Sequence, residues 1–278
     1  MKIIKLSKET NEIQRVVTLR NSRNNRHRYR EFILEGRLAI DQAYEKGWKV
    51  KALFYKKDLS LSKWALGRLK QRQDETVYEI TSPLMDKIAD KAENNEIIAI
   101  AETQIRPFSS YQPFSPHPEV IVVLDEPKSA GNVGMMIRSA VCFGARAVVI
   151  SGHAADEYDP KCIRASVGTF FSIPIYRVEG GSKFFQKVEE LRSQRNVTMI
   201  ASGDRGALPL EKIKIEGDLL FLILGNETEG ISVSYRQGAN QFVRISLPGE
   251  FTSLNVAAAG SIFLYEIFRQ LKEISRPT

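Results

Sequence analysis

Three stretches of the chain hold residue types that can do chemistry together. The first is Asn132-Val133-Gly134-Met135-Met136-Ile137-Arg138, six residues from an amide to a guanidinium. An arginine forks two donors toward a phosphate or a developing negative charge. The second is Leu224-Gly225-Asn226-Glu227-Thr228-Glu229-Gly230, directly after an apolar run. Two glycines bracketing a tight loop expose backbone N–H and C=O groups, which can hold an adenosine, and Glu227 can orient a cation such as Arg138. The third is Ile245-Ser246-Leu247-Pro248-Gly249, followed by Ser253-Leu254-Asn255 and the small residues Ala257, Ala258, Ala259 and Gly260. Pro-Gly marks a turn, and the small residues let another backbone or a ligand come close. Each stretch also has a purely structural reading: Asn132 as a helix N-cap, Arg138 as surface, and Thr252 or Ser253 as the cap of the last helix.

The elements that must position these residues follow from apolar patterning. A strand over 120–124 precedes the first stretch, which lies on a helix from about 132 to 143 closed by Gly144. Strands over 147–150, 173–176, 197–201 and 241–245 alternate with helices over 159–167 and 182–194. Residues 219–224 form an apolar strand buried on both faces, and a final helix spans about 253–272. This is a doubly wound α/β layout, and such sheets bind ligands at strand C-terminal ends. Upstream, helices over 9–22, 37–46 and 59–72, with Pro83 opening another, alternate with strands over 31–36, 50–55, 76–80 and 97–101. They indicate a smaller α/β domain with a largely parallel sheet. Prolines 107, 113, 116 and 118 make residues 106–118 a semi-rigid linker between a domain of residues 1–105 and one of residues 119–278.

Charge separates the two parts. Residues 1–107 carry 22 Lys and Arg against 15 Asp and Glu, and residues 108–278 carry 18 of each, so the net charge of +7 lies in the front part. That asymmetry points to a polyanion, most plausibly nucleic acid. Between Ile13 and Arg30 no acidic residue occurs, and Asn21, Ser22, Asn24 and Asn25 predict a polar loop. Arg20, Arg23, Arg26, Arg28 and Arg30 are therefore the candidate RNA-gripping residues. Cys142 and Cys162 are expected as free buried thiols, and two cysteines and three histidines with no close pair among them make a zinc site improbable. The start Met1-Lys2-Ile3-Ile4-Lys5 has no apolar run behind it, and no stretch is apolar enough to span a bilayer, so a cytoplasmic protein is expected. GxGxxG and GK[ST] loops are absent, which disfavours nicotinamide dehydrogenases and P-loop NTPases.

In this order and spacing the three stretches resemble the motifs of the SpoU (TrmH) family of RNA 2′-O-ribose methyltransferases, in the SPOUT superfamily. The likeness spans residues 120–270. Residues 12–102 resemble the ribosomal-protein-like substrate-binding domain that many members carry, through Phe32-Ile33-Leu34-Glu35-Gly36 and the Ile97-to-Glu102 ending. The resemblance implies an α/β fold whose C-terminal parallel sheet carries a trefoil knot, with a smaller α/β RNA-binding domain in front. It implies an S-adenosylmethionine-dependent enzyme, a homodimer, acting on a ribose 2′-hydroxyl of structured RNA. Matched by position, Asn132, Arg138, Glu227, Ser253 and Asn255 are catalytic. Leu224, Gly225, Asn226, Gly230, Ile245, Leu247 and Leu254 line the cofactor. Ser246-Leu247-Pro248 stands where members often have Ile-Pro-Met, and Thr252 where many have Glu. Because a guanidinium stays protonated, Arg138 is expected to stabilise the developing alkoxide and adjacent phosphate, held by Asn132 and Glu227. The basic front domain favours ribosomal RNA of the large subunit. The alternatives are a transfer-RNA methyltransferase and a non-catalytic RNA-binding protein on the same fold.

Overall fold

The computed structural model describes residues 3–57, 60–71, 74–90, 96–114, 118–203, 207–249 and 253–274. Thr252, part of the linker around Pro116, and the residues Met1 and Lys2 lie outside them. The chain divides into two compact units, residues 1–104 with 156–172, and residues 105–155 with 173–278.

In the first unit the elements are β1 (Ile3–Leu6), α1 (Asn11–Asn21), α2 (Arg23–Tyr29), β2 (Glu31–Glu35), α3 (Arg37–Glu45), β3 (Val50–Lys56), α4 (Lys63–Lys70), β4 (Thr76–Ile80), α5 (Ser82–Ile88) and β5 (Ile97–Glu102). The sheet order is β1-β4-β3-β5-β2. It is mixed, not largely parallel: β4 pairs in parallel with β1 and β3, while β5 runs antiparallel to both β3 and β2. Alternation of apolar residues locates a strand but not its direction, so this could not be read in advance. Ile13, Val16 and Leu19 of α1 pack with Leu84, Met85 and Ile88 of α5 over Ile33, Phe54 and Ile98 of the sheet.

Residues 21–30 are not the expected loop. Ser22 accepts a hydrogen bond from Asn25 N at 3.4 Å and opens α2, as N-cap serines do. Arg26 explains why so polar a segment holds a helix. It is 2% exposed. Its Nη1 donates to Leu19 O (2.8 Å) and Arg20 O (3.1 Å), two carbonyls at the end of α1. Its Nε donates to Asp156 (2.6 Å) and its Nη2 to Asp159 (3.2 Å). Arg26 is thus committed to the fold and is not an RNA-gripping residue. Arg20 is largely used too, donating to Lys87 O (3.1 Å) and Ala89 O (2.6 Å).

The partners of Arg26 lie in a segment expected with the second domain. Residues 156–172 pack with the first unit because they bring an aromatic set to it. Tyr158 and Phe170 meet Phe32 (ring centroids 4.9 and 6.0 Å), and Phe171 meets Trp48 at 5.4 Å. Trp48 Nε1 donates to Phe171 O at 3.4 Å. Gly168, at φ +83°, lies against Leu38 and Gln42, and a side chain there would be strained by the backbone and would crowd both.

The second unit contains β6 (Glu119–Asp125), α6 (Ala130–Cys142), β7 (Ala147–Ser151), β8 (Ile175–Val178), α8 (Gly181–Arg192), β9 (Val197–Ser202), β10 (Leu208–Pro209), β11 (Leu219–Leu224), α9 (Val233–Gly238), β12 (Gln241–Arg244) and α10 (Val256–Ile274). Between β7 and β8 the chain leaves this unit to form α7 (Pro160–Ala165) in the first. Seven strands in the order β10-β12-β9-β11-β6-β7-β8 form a sheet whose pairings are all parallel. β11 is buried throughout and central, as its unbroken apolar run requires. The segment expected as a linker is built into this unit. Phe108 and Tyr111 are buried, Phe108 stacks on Phe184 at 5.2 Å, and Tyr111 donates to Glu119 at 2.6 Å. Two large aromatic rings prefer burial to a tether's exposure.

Candidate active site

From β6 the sheet continues one way through β7 and β8, and the other way through β11, β9 and β12. The point between β6 and β11 is therefore a topological switch, where open α/β sheets bind ligands beyond strand C-terminal ends. Leu124 and Leu224 are register partners there, so the loops that follow start level with each other. These are the loop into α6 and the Gly225–Gly230 loop.

Each loop is fixed by its own polar residues. Ser129 accepts from Asn132 N at 3.3 Å and caps α6, so Asn132 is not the cap and its amide is available for other bonds. Asn226 N and O pair with Gly230 O and N at 3.0 and 3.2 Å. The Asn226 side-chain oxygen accepts from Thr228 N (3.0 Å), Thr228 Oγ1 (3.1 Å) and Glu229 N (2.7 Å). Asn226, expected to line the cofactor, therefore spends its carbonyl on shaping the loop. A Cβ on Gly225 would lie 2.1 Å from the Gly230 carbonyl carbon, so only glycine permits the turn. At the third stretch Asn255, not Ser253, caps the helix: its Oδ1 accepts from Ala257 N at 2.9 Å, and the other expected cap, Thr252, lies outside the described residues. A Cβ on Gly260 would lie 2.5 Å from Met136 Sδ and 2.7 Å from Leu224 Cδ1, so the small residues seat α10 against α6 and the end of β11.

One hydrogen-bonded chain joins the three stretches. Asn255 Nδ2 donates to Asn132 Oδ1 at 3.2 Å, and Asn132 Nδ2 donates to Glu227 Oε1 at 2.6 Å. Lys128 N donates to Glu227 Oε2 at 3.2 Å. Partial burial alone would raise the Glu227 carboxyl, but the bonds from Asn132 and from backbone N–H groups outweigh it and hold its pKa below the ordinary value. Glu227 thus stays anionic at neutral pH.

Arg138 is not held by Asn132 and Glu227. Six residues of α-helix turn about 600°, which leaves the two side chains about 120° apart around α6. Asn132 is buried and Arg138 is exposed on the face that also carries Met135. Ser253 and Leu254 are exposed beside Asn255, and Ile245 and Leu247 are half-buried after β12.

Sequence reasoning missed Asp125. It ends β6, is 3% exposed, and accepts from Ser232 N at 2.7 Å, which fixes the far end of the Gly225–Gly230 loop. Burial raises its pKa above the ordinary carboxylate value, against the lowering bonds from Ser232. An acid directly after the apolar run of residues 120–124 was the signal available. Among the described residues no group of His, Cys, Asp and Glu is arranged to hold a metal ion, and no helix is long and apolar enough to cross a membrane.

Comparison with known proteins decides the family. The profile of the SpoU rRNA Methylase family matches residues 119–265, and that of the MRM3-like substrate binding domain matches residues 10–99. The chain belongs to the SpoU rRNA methylase family. It is 34% identical over 254 residues to the 23S rRNA (uridine(2479)-2'-O)-methyltransferase of Streptomyces viridochromogenes, covering 91% of this chain and 87% of that one. The crystal structure of the SpoU methyltransferase AviRb of that organism, in complex with AdoMet, superposes with a TM-score of 0.89 at 31% identity, covering 97% of this chain and 100% of the other. An AdoMet-bound rRNA methyltransferase from Sinorhizobium meliloti gives a TM-score of 0.83 at 27% identity, covering 97% and 98%.

Proposed function

We propose that this SpoU-family enzyme transfers a methyl group from S-adenosylmethionine to a ribose 2′-hydroxyl of structured RNA, namely ribosomal RNA of the large subunit. The observation that carries the reading is the Asn255–Asn132–Glu227 chain at the switch point between β6 and β11, beside a loop that only glycine permits. The loop suits the cofactor: its backbone turns within the space of one Cβ, as close main-chain approach to an adenosine requires. Leu224, Gly225, Gly230, Ile245, Leu247 and Leu254 would hold it there, and it would supply the electrophilic methyl.

The chain's own residues position the acceptor. Glu227 and the backbone that feeds it fix Asn132, and Asn132 fixes Asn255 at the N-terminus of α10, where Ser253 adds an exposed hydroxyl. Arg138 stabilises charge developing on the 2′-oxygen and the neighbouring phosphate, as a preorganised cation does. Its counter-group is not on its own helix, which fits an active site completed at a subunit interface. Met135, Ile262, Tyr265 and Phe268 are each between 39% and 55% exposed on the packed helices α6 and α10, and large apolar side chains left exposed on neighbouring helices suit an association site. A homodimer through this face is part of the proposal; light scattering that gives one chain's mass at assay concentration would contradict it. The threaded C-terminal segment and a cytoplasmic location, which fractionation of cells would check, belong to the same reading.

Titration calorimetry with S-adenosylmethionine and no RNA is the direct test of the cofactor assignment. Wild type is expected to bind, and Gly225→Ala to lose at least tenfold in affinity, because overpacking displaces the loop. A wild-type protein that binds RNA but not S-adenosylmethionine would favour the non-catalytic alternative.

A further inference from the structure

Of the five arginines expected to grip RNA, Arg26 is buried and Arg20 is bonded to backbone carbonyls, while Arg23, Arg28 and Arg30 remain exposed, the last two on either side of Tyr29. Tyr29, 42% exposed, closes α2. The guanidinium of Arg15 lies 5.4 Å from its ring centroid and that of Arg28 lies 5.8 Å from it. Arg15 is itself anchored, at 2.5 Å, by the buried carboxylate of Glu31, so one side of the arrangement is fixed. Arg30 adopts the left-handed conformation (φ 52°), which few non-glycine residues adopt. That backbone turn sets its side chain apart from the helix while Thr103 N holds its carbonyl at 3.0 Å. An exposed aromatic ring with cations on both chain neighbours is the combination that binds single-stranded RNA: the ring stacks a base and the cations take the flanking phosphates.

We infer that Tyr29 is a stacking platform for an unpaired RNA base, with Arg28 and Arg30 engaging the phosphates beside it. This rests on the reading of the chain as an RNA methyltransferase and adds a contact with an unpaired nucleotide, which a duplex does not present. The chemistry separates the ring from its hydroxyl. Phenylalanine keeps the stacking face and alanine removes it.

The test uses the full chain, with single-stranded oligouridylate and a perfect RNA duplex of equal length as probes at one salt concentration. Tyr29→Ala is expected to bind the single strand about tenfold more weakly, with duplex binding unchanged, and Tyr29→Phe to match wild type. Unchanged single-strand binding by Tyr29→Ala would overturn the platform, as would an equal loss on the duplex or an equal loss by Tyr29→Phe. Methylation of a ribosomal RNA transcript by the same wild-type preparation separates the two levels. A wild type that methylates RNA while Tyr29→Ala binds normally sinks only the platform. A wild type that neither methylates nor binds RNA sinks the parent reading and the platform with it.

Discussion

Replacing Arg138 with alanine is expected to lower kcat for methyl transfer about 10²–10³-fold while leaving S-adenosylmethionine affinity within about twofold of wild type. Arg138 is exposed and makes no hydrogen bond or ion pair among the described residues, so its removal should not cost stability. With no carboxylate among the described residues paired to it, its charge is not already spent locally. Arg138→Lys discriminates further. It keeps the charge and loses the planar fork, so turnover should fall about tenfold with RNA affinity unchanged. Near-normal turnover of the lysine variant would show that a point charge suffices. Rapid-quench kinetics with a ribosomal RNA transcript measure both, and light scattering confirms that the variants keep the wild-type mass.

The largest expected stability effect lies in the first unit. Arg26→Ala leaves Asp156 buried without its closest cation, and removing one partner of a buried pair costs about 3–5 kcal/mol. Side-chain exposures of 3% for both partners put this pair in that class. Arg26 also serves two α1 carbonyls, so a double variant, Arg26→Met with Asp156→Leu, should recover only part of the loss. Urea unfolding of the full chain reads both. A loss under about 1 kcal/mol for Arg26→Ala would place the pair with exposed ion pairs.

pH provides an independent check on the same pair. Burial works to raise the Asp156 pKa, but the His27 imidazole and the Arg26 guanidinium override it and bring it down to about 2. The His27 contact, at 3.5 Å, is at the outer limit of a hydrogen bond, so Arg26 at 2.6 Å carries most of the effect. A carboxylate lowered on folding stabilises the protein above its unfolded pKa, and that contribution fades as pH falls through the folded value. Stability should therefore drop between about pH 4 and pH 2, and Arg26→Ala should shift that drop to higher pH.

Much of this was legible in the sequence, and the exceptions share a cause. The apolar runs at 120–124 and 219–224 announce strands, the second of them buried on both faces, and they stand side by side at the centre of the second sheet. The three motif stretches meet at one switch point. What could not be read is whatever depends on a distant partner. Arg26 looks like an RNA contact until Asp156, 130 residues away, is seen to bury it. Residues 156–172 carry no local mark of belonging to the first unit; Tyr158, Phe170 and Phe171 go there because Phe32 and Trp48 are there. Asn255 takes the cap that Thr252 or Ser253 offered equally well, since composition does not rank adjacent caps. Arg138 and Asn132 share a helix and a motif, yet helical geometry separates them.

The most direct measurement offers labelled S-adenosylmethionine to unmodified large-subunit ribosomal RNA and, separately, to unmodified bulk transfer RNA, then maps the product. Label on a single ribose 2′-oxygen of the ribosomal RNA is the expected result. Label only in transfer RNA would keep the chemistry and overturn the substrate. No label in either, with S-adenosylmethionine failing to bind, would contradict the enzyme itself.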